Sequence, residues 1–358
     1  MADKILMKGN EAIGEAAIVA GCRHYFGYPI TPQTELTEYM AKRMPQVNGV
    51  FVQAESEVAA INMVYGAAGA GARAMTSSSS PGISLKQEGI SYIAGAELPC
   101  VIVNIMRAGP GLGGIQPGQA DYFQATKGGG HGDYRNIVLA PNSVQELVDI
   151  TITAFDIADK YRNPVMLLGD GALGQMMEPV EFSDGVSHPV EKPWAARGKR
   201  GRTTPNIINS LYLQPDPLEQ HNIHLQKKYA LITENEIRYE ELHIDDAELI
   251  LVAYGITSRI ARSAMDKARA DGLKVGMFRP ISLWPFPYDA LSRLTKTAQG
   301  FLTLELSAGQ MVEDVRLSVL GAKPVYFYGR TGGNIPSPKA VYQQILQVMS
   351  GEGGNKHG

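Results

Sequence analysis

The sequence feature that most constrains the fold is an almost continuous apolar run at 99–106, Pro-Cys-Val-Ile-Val-Asn-Ile-Met. Such a run is typical of a strand buried on both faces of a parallel sheet, because helices then cover both sides. Strand and helix patterns alternate around it, which predicts a doubly wound α/β domain over residues 1–180. The other predicted strands are at 24–28, 50–53, 136–140 and 164–168, and the helices are at 10–20, 31–43, 55–72 and 143–161.

The composition changes further along the chain. Residues 181–246 are polar and proline-containing, and 218–242 has the pattern of one long amphipathic helix, so this segment is interpreted as a connector. Strand and helix patterns resume at 247–346, which predicts a second α/β domain. Residues 347–358 are expected to form a loose tail.

Composition excludes several classes of protein. The 358 residues carry a formal net charge of −3, which argues against a general nucleic-acid-binding protein. Two cysteines, Cys22 and Cys100, are too few for a four-thiolate iron–sulfur cluster or a disulfide framework. No apolar run approaches the roughly 18–20 residues of a transmembrane helix, and the N-terminus lacks the apolar core of a signal peptide. We therefore expect a cytoplasmic protein with no metal site in this chain.

Two glycine-rich motifs are close to ligand-binding signatures but depart from them. The run at 109–114, Gly-Pro-Gly-Leu-Gly-Gly, follows a strand, yet Pro110 and Pro117 are incompatible with the start of a dinucleotide-binding helix. The motif at 169–171, Gly-Asp-Gly, matches the opening of a diphosphate-binding metal motif, but the expected asparagine pair does not follow. Both are interpreted as turns, with Asp170 as a turn residue.

Capping residues predict where two helices begin. Asn10 is predicted to cap the helix at 10–20. Thr31 is predicted to cap the helix that runs to residue 43, with Pro32 at its first position. The Thr31 hydroxyl therefore either caps this helix or joins the backbone N–H groups of the turn in an anion site.

Two carboxylates precede a helix that carries almost no other charge. Glu55 and Glu57 stand before the run of small residues at 58–72. One interpretation is a first-turn carboxylate stabilised by the helix dipole, which periodicity alone favours. The other is a buried acid that hydrogen-bonds a ring nitrogen of a ligand. The sequence leaves both interpretations open.

Arg107 ends the apolar strand and begins the glycine-rich loop. Open α/β sheets bind ligands at the carboxyl ends of their strands, and a guanidinium there suits a carboxylate or a phosphate; a salt bridge to a local acid is the alternative. The hydroxyl-rich run at 76–80 suits either an anion or a solvated helix cap. Residues 127–136, Lys-Gly-Gly-Gly-His-Gly-Asp-Tyr-Arg-Asn, are expected to form a lid, a partner-contact loop or a floppy surface loop.

Together these motifs resemble the alpha subunit of the 2-oxoacid:ferredoxin oxidoreductases, of the branched-chain type and close to the 2-oxoglutarate type. The resemblance covers nearly the whole chain. Its carriers in the first half are Gly-Tyr-Pro-Ile-Thr-Pro at 27–32, Gln-Ala-Glu-Ser-Glu-Val-Ala-Ala at 53–60, Thr-Ser-Ser-Ser-Ser-Pro-Gly at 76–82, Asn-Ile-Met-Arg-Ala-Gly-Pro-Gly at 104–111 and Lys-Gly-Gly-Gly-His-Gly at 127–132. In the second half they are Tyr-Gly at 254–255, Phe-Arg-Pro-Ile at 278–281 and Arg-Thr-Gly-Gly-Asn at 330–334.

The resemblance implies a fold, cofactors and partners. Residues 1–180 would be a pyrimidine-type thiamine diphosphate-binding domain, and 247–346 a transketolase C-terminal-like domain. Thiamine diphosphate would be shared with a beta subunit that binds its diphosphate and Mg²⁺, while iron–sulfur clusters would lie on other chains. The implied partners are this beta subunit, a gamma subunit, a ferredoxin-like delta subunit and ferredoxin, in a dimer of heteromers that uses coenzyme A and a 2-oxoacid.

The resemblance also implies roles for individual residues. Glu57 matches the activating acid of the family better than Glu55; it would hydrogen-bond the pyrimidine ring nitrogen and favour the imino form, which takes the thiazolium proton. Thr31 and Arg107 would contact the substrate, with Arg107 on its carboxylate. The implied cofactor contacts are Tyr28, Pro29, Ile30, Thr31, Glu57 and Ser79.

The resemblance further implies a substrate. The motif at 127–136 is similar to that of enzymes acting on 3-methyl-2-oxobutanoate. A 2-oxoglutarate enzyme is the alternative, because Lys127 and Arg135 could hold a second carboxylate. Two alternatives come from other classes: a non-catalytic scaffold subunit, and a transketolase-like enzyme that works without ferredoxin.

Overall fold

The computed structural model of the protein describes residues 4–182 and 190–351. Two large sheets carry helices on their faces, which confirms the predicted α/β class. The strands are β1 (Ile5–Lys8), β2 (His24–Gly27), β3 (Val50–Gln53), β4 (Ala74–Ser78), β5 (Cys100–Met106), β6 (Ile137–Leu139), β7 (Pro164–Asp170), β8 (Met177–Val180), β9 (Tyr239–Leu242), β10 (Leu249–Val252), β11 (Val275–Pro280), β12 (Ser282–Trp284), β13 (Gly300–Glu305) and β14 (Val325–Gly329).

The helices follow the predicted alternation closely. They are α1 (Gly9–Val19), α2 (Thr34–Arg43), α3 (Glu57–Gly69), α4 (Ser80–Gly95), α5 (Tyr122–Thr126), α6 (Val144–Tyr161), α7 (Gly171–Gln175), α8 (Pro215–Asn235), α9 (Gly255–Ala270), α10 (Tyr288–Arg293), α11 (Met311–Val319) and α12 (Pro338–Met349). Within the described ranges, no helix is long and apolar enough to cross a membrane.

The first sheet has seven strands in the order β12-β6-β7-β5-β4-β2-β3, and all pairs except β12 with β6 are parallel. The predicted apolar strand is β5, and all seven of its residues are buried. Its alternate side chains enter two separate core clusters, Ile102 on one face and Val101 and Val103 on the other. The prediction of a strand covered on both faces is therefore confirmed.

The second sheet has five strands in the order β14-β13-β10-β11-β9, parallel except for β9. Side chains of β10 also divide between two clusters: Ile250 and Val252 join the cluster that holds Ile102, and Leu249 and Leu251 join another. One apolar core thus runs from the first sheet to the second.

Buried polar contacts also join the two sheets. The Gln119 side chain donates to the Tyr254 carbonyl at 3.0 Å and accepts from the Leu306 amide at 2.9 Å. The Gln119 amide in turn donates to the Leu306 carbonyl at 2.8 Å. These bonds fix the loop after β5 against the loop after β13, so the strand ends of both sheets face a common space.

Both predicted helix caps are wrong. Helix α1 begins at Gly9, and Asn10 is instead buried, where its amide donates to the Pro32 carbonyl at 2.8 Å. Helix α2 begins only at Thr34, because the turn over 30–33 closes first through the Gln33 amide and the Ile30 carbonyl. Thr31 is therefore an exposed loop residue and caps no helix.

The second half holds strands that the sequence did not predict. The helix expected at 218–242 ends at Asn235, and β9 then pairs antiparallel with β11. Strand β12 leaves the second half and pairs with β6 in the first sheet. Of the expected loose tail, 347–349 complete α12, and 352–358 lie outside the described residues.

The motif at 109–114 is a turn, as predicted, whereas the prediction of a turn at 169–171 is wrong, because β7 runs directly into α7 there. Residues 109–114 form a loop in which Gly111 and Gly113 have φ values of 70° and 60°. Asp170 ends β7 and caps the short helix α7, since its carboxylate accepts from the amides of Ala172 at 3.0 Å and Leu173 at 3.1 Å. Burial raises the pKa of Asp170 to about 6, against the lowering effect of these bonds.

Candidate active site

The candidate residues gather at one edge of the first sheet. Strands β2, β3, β4 and β5 are parallel, so their carboxyl ends point the same way. The loops and helix starts that follow them carry the turn at 28–31, Glu57, Ser79 and Arg107. The strand order reverses between β2 and β4, which is the position where open α/β sheets bind ligands.

Glu57 is the first residue of α3 and is 5% exposed, whereas Glu55 is exposed. The helix starts here because Ser56 caps it, with the serine hydroxyl accepting from the Ala59 amide at 3.1 Å. The helix N-terminus favours a negative charge on Glu57. Within residues 4–182 and 190–351, no group donates a hydrogen bond to the Glu57 carboxylate, which leaves it free to accept one from a ligand.

Gly82 lets the Glu57 carboxylate lie against α4. A Cβ atom at this position would come 2.5 Å from Glu57 Oε1 and 2.0 Å from Ser78 Oγ, closer than any real contact. A glycine is therefore required for this packing. The hydroxyls of Ser78 and Ser79 are fully buried next to it and have no hydrogen-bond partner in the described part of the chain. Unpaired buried hydroxyls are rare and indicate a place where a ligand can bind.

Arg107 is 8% exposed and joins two loops of the site. Its Nη1 donates to the Thr31 carbonyl and its Nη2 to the Leu112 carbonyl, each at 3.0 Å, while the buried Nε has no partner. Among the described residues no carboxylate forms an ion pair with Arg107, so the local salt bridge considered from the sequence is not formed. The guanidinium charge is thus available to an anionic ligand.

A cleft of about 620 Å³ opens beside Arg107. Its walls come from the start of α4 at Ser80, the glycine-rich loop, and the segments that follow β13 and β14, including Ser307 and Thr331. Asp121 lines the same cleft; burial raises its pKa although Asn104 donates to it at 2.9 Å. The cleft therefore presents a cation and a carboxyl group in one partly enclosed space.

The two cations that could hold a second substrate carboxylate, Lys127 and Arg135, both have partners within the chain. Lys127 Nζ lies 2.5 Å from Asp314 Oδ1, and Tyr122 and Tyr288 also donate to that carboxylate. Arg135 donates from Nη1 to the carbonyls of Lys127 and Tyr134. The charge of Lys127 is therefore neutralised within the chain.

The sequence analysis missed Lys86, a fully buried lysine on α4. Its Nζ donates to Thr76 Oγ1 at 3.0 Å. Burial lowers the pKa of Lys86 to about 8, and the negative charge of Glu57 opposes that shift. A signal for its burial exists: Ile83, Ile90 and Ile93 share its helical face at spacings of three, four and seven.

We expect the Gly82→Ala substitution to destabilise the chain by about 1–3 kcal/mol, because the new methyl group overlaps the Ser78 and Glu57 side chains. Urea unfolding of the two purified chains measures the difference. The matched control is Gly66→Ala on α3, which meets no atom within 4 Å. That variant should be more stable than the wild type by about 0.5–1 kcal/mol. Equal stability of the Gly82→Ala and wild-type chains would contradict the packing described here.

We expect the free energy of unfolding to rise with pH between about 8 and 10.5 through Lys86. In the folded chain the Lys86 ammonium loses its proton near pH 8, whereas in the unfolded chain it keeps that proton up to its ordinary pKa of 10.5. The unfolded state then binds more protons, so each pH unit adds about 1.4 kcal/mol of stability from this group. The free energy of unfolding is measured against pH for the wild type and for Lys86→Met, and the difference between the two isolates the contribution of Lys86. A difference that stays constant between pH 8 and 10.5 would contradict the prediction.

The fold and the site define an α/β protein with a candidate ligand site, where the carboxyl ends of parallel strands meet a buried acid and a free guanidinium. Residues 15–243 match the family model of the pyruvate flavodoxin/ferredoxin oxidoreductase thiamine diphosphate-binding domain. Residues 247–341 match the model of pyruvate:ferredoxin oxidoreductase core domain II. The described residues hold no group of three or more histidine, cysteine or acidic side chains able to bind a metal.

Individual proteins agree with these family matches. The chain is 55% identical to ketoisovalerate oxidoreductase subunit VorB of Methanothermobacter marburgensis, over 96% of this chain and 97% of that protein. It is 37% identical to 2-oxoglutarate synthase subunit KorA of Methanocaldococcus jannaschii, over 95% of this chain and 98% of that protein. The chain therefore belongs to the 2-oxoacid:ferredoxin oxidoreductase family, and it functions as a subunit of a complex, which confirms the resemblance found from the sequence.

Solved structures agree on the fold. A 2-oxoglutarate:ferredoxin oxidoreductase from Magnetococcus marinus, solved with 2-oxoglutarate, coenzyme A and succinyl-CoA bound, matches with a TM-score of 0.87 and 29% identity. The match covers 97% of this chain and 65% of that longer chain. A split-gene transketolase described as an inactive β4 tetramer matches with a TM-score of 0.59 over 96% of this chain; at 13% identity it shows the fold alone.

Proposed function

We propose that this chain is the alpha subunit of an oxidoreductase that decarboxylates 3-methyl-2-oxobutanoate and related branched-chain 2-oxoacids. Coenzyme A takes the acyl group, carbon dioxide leaves, and ferredoxin takes the electrons. The observation that carries the proposal is the buried Glu57 carboxylate, which lacks a hydrogen-bond donor within the described residues and lies at the ligand-binding edge of the sheet. The 55% identity to a ketoisovalerate oxidoreductase subunit supports the choice of substrate.

The residues around Glu57 fit the aminopyrimidine of thiamine diphosphate. Glu57 offers a carboxylate free to accept a hydrogen bond, and Ser78 and Ser79 offer unpaired buried hydroxyls. In the proposed site Glu57 holds a proton at the pyrimidine ring nitrogen, while Ser79 and the turn of Tyr28, Pro29, Ile30 and Thr31 contact the rest of the ring. When bound, the cofactor supplies the nucleophile and the electron sink for decarboxylation.

Arg107 is proposed to bind the substrate carboxylate. Its guanidinium is nearly buried and paired only with carbonyl groups in the described part of the chain, so an incoming carboxylate meets an uncompensated charge. Partial burial strengthens such a charge-assisted bond, and the planar fork of Arg107 orients the carboxylate. Thr31, whose carbonyl already anchors Arg107, is proposed to contact the substrate from the adjacent turn.

The remaining groups of the reaction are proposed to lie on other chains. A beta subunit would bind the diphosphate and Mg²⁺, and a gamma subunit and a ferredoxin-like delta subunit would complete a dimer of heteromers with its iron–sulfur clusters. The composition supports this division, because Cys22 and Cys100 are both buried and too few to ligate a cluster.

The charges near the site support a branched-chain rather than a dicarboxylic substrate. A second carboxylate would require a second free cation in the same cleft, but Asp314 neutralises Lys127, and Arg135 lines a different cleft from Arg107. The test is the rate of ferredoxin reduction by the purified complex with 3-methyl-2-oxobutanoate, 2-oxoglutarate and pyruvate. We expect the highest kcat/KM for 3-methyl-2-oxobutanoate; a clear preference for 2-oxoglutarate would overturn the substrate assignment.

A further inference from the structure

The buried ammonium of Lys86 has too few partners to be explained by packing alone. The side chain is fully buried, and an ammonium has three N–H donors. Among the residues that the structure describes, its Nζ forms one hydrogen bond, to the neutral hydroxyl of Thr76. A charge held in this way is unfavourable unless an opposite charge lies nearby.

Glu57 supplies that opposite charge. Gly82, one helical turn before Lys86 on α4, lies against the Glu57 carboxylate. The elements packed against α4 carry other ionisable groups, namely Tyr65 on α3, Cys100 on β5 and Asp170 on β7. None of these three contributes to the pKa of Lys86; the charge that acts on it is that of Glu57. The lysine and the glutamate are therefore neighbouring opposite charges across the α3–α4 contact, and no direct ion pair joins them in the described part of the chain.

We propose that Lys86 is a positioning residue: its buried ammonium acts through its charge on the nearby Glu57 carboxylate and sets how firmly that carboxylate retains a proton on the pyrimidine ring nitrogen. This inference rests on the proposed function, because it assumes that the ring nitrogen lies at Glu57. Lys86 itself touches neither cofactor nor substrate.

The effect follows from the charges. A protonated ring nitrogen is a second cation next to the same carboxylate, and two nearby cations disfavour each other. The Lys86 charge therefore lowers the affinity of the ring nitrogen for its proton. Removing the charge of Lys86 should make the ring nitrogen more basic.

The test is a pH titration of thiamine diphosphate bound to the reconstituted complex, followed by the ultraviolet circular dichroism of its pyrimidine ring. We expect Lys86→Met to raise the midpoint of ring protonation by about one pH unit. Lys86→Gln, which can still hydrogen-bond Thr76, should raise it equally and serves if the methionine variant does not assemble. The matched control is Lys42→Met, which removes an exposed charge at the end of α2 and should leave the midpoint unchanged.

The outcomes separate this inference from the proposed function. If Lys86→Met or Lys86→Gln binds the cofactor and its pyrimidine ring titrates at the wild-type midpoint, the proposed role of Lys86 is overturned. If instead Glu57→Gln left both the ring titration and the turnover unaltered, the proposed function itself would fail. A purely structural lysine would change the stability and cofactor affinity of the complex but not the midpoint.

Discussion

We expect the Glu57→Gln variant of the reconstituted complex to lose 2-oxoacid-dependent ferredoxin reduction by about 10²–10⁴-fold. Glutamine has nearly the same shape as glutamate, so the packing against Gly82 and the cap of α3 should persist. It cannot hold a proton at the ring nitrogen, however, because its amide does not titrate. Single-turnover kinetics with saturating thiamine diphosphate would place the loss in the chemical steps rather than in cofactor binding.

The matched control for Glu57 lies two residues earlier. Glu55 is exposed and belongs to the same strand-to-helix junction. Glu55→Gln should retain turnover within a factor of about two, since an exposed charge contributes little. Wild-type rates in the Glu57→Gln complex would instead assign this chain a scaffold role.

We expect Arg107→Met to lower kcat/KM for the 2-oxoacid by on the order of 10²–10³, because one partner of a nearly buried charge pair is lost. Methionine keeps an apolar stem but none of the donors. The loss should appear chiefly as a higher KM, measured over a wide range of 2-oxoacid concentration. Arg107→Lys should recover only part of the loss, since a lysine keeps the charge without the planar fork.

Two comparisons test whether Arg107 acts on the substrate carboxylate. Arg135→Met removes a cation that bonds the carbonyls of Lys127 and Tyr134, and it should leave KM near the wild-type value. Loss of the Arg107 bonds to Thr31 and Leu112 could also loosen the loops, which the melting temperature of the complex would reveal. An unchanged KM in a stable Arg107→Met complex would rule out the proposed carboxylate contact.

Local sequence patterns predicted the elements that carry a signal in their own residues. The apolar run of β5 and the helical pattern at 143–161 each carry such a signal, and the structure has both elements. The cap at Asn10 failed for a tertiary reason, and the cap at Thr31 failed for a local one. The Asn10 amide donates to the Pro32 carbonyl, whereas the turn between the Ile30 carbonyl and the Gln33 amide delays the start of α2. Strand β12 is short and pairs with β6 from far away in sequence, which no local pattern encodes.

The site was predictable in part. Strand ends and motifs led to Glu57 and Arg107. Only the fold shows that Glu57 is buried and Glu55 is exposed, because the two residues lie on either side of Ser56, the residue that caps α3. Lys86 was missed since a lysine on a helix is ordinarily exposed. Its burial depends on Gly82 and Gly89, whose missing side chains bring α3 and α4 together.

The proposed function requires that the Glu57 carboxylate holds the pyrimidine ring of thiamine diphosphate while another chain holds its diphosphate. The most direct test is an experimental structure of the assembled complex with thiamine diphosphate and Mg²⁺. We expect a Glu57 oxygen within about 2.6–3.2 Å of a ring nitrogen, and the diphosphate and metal on a partner chain. A ring bound away from Glu57, or a diphosphate held by this chain, would contradict the account.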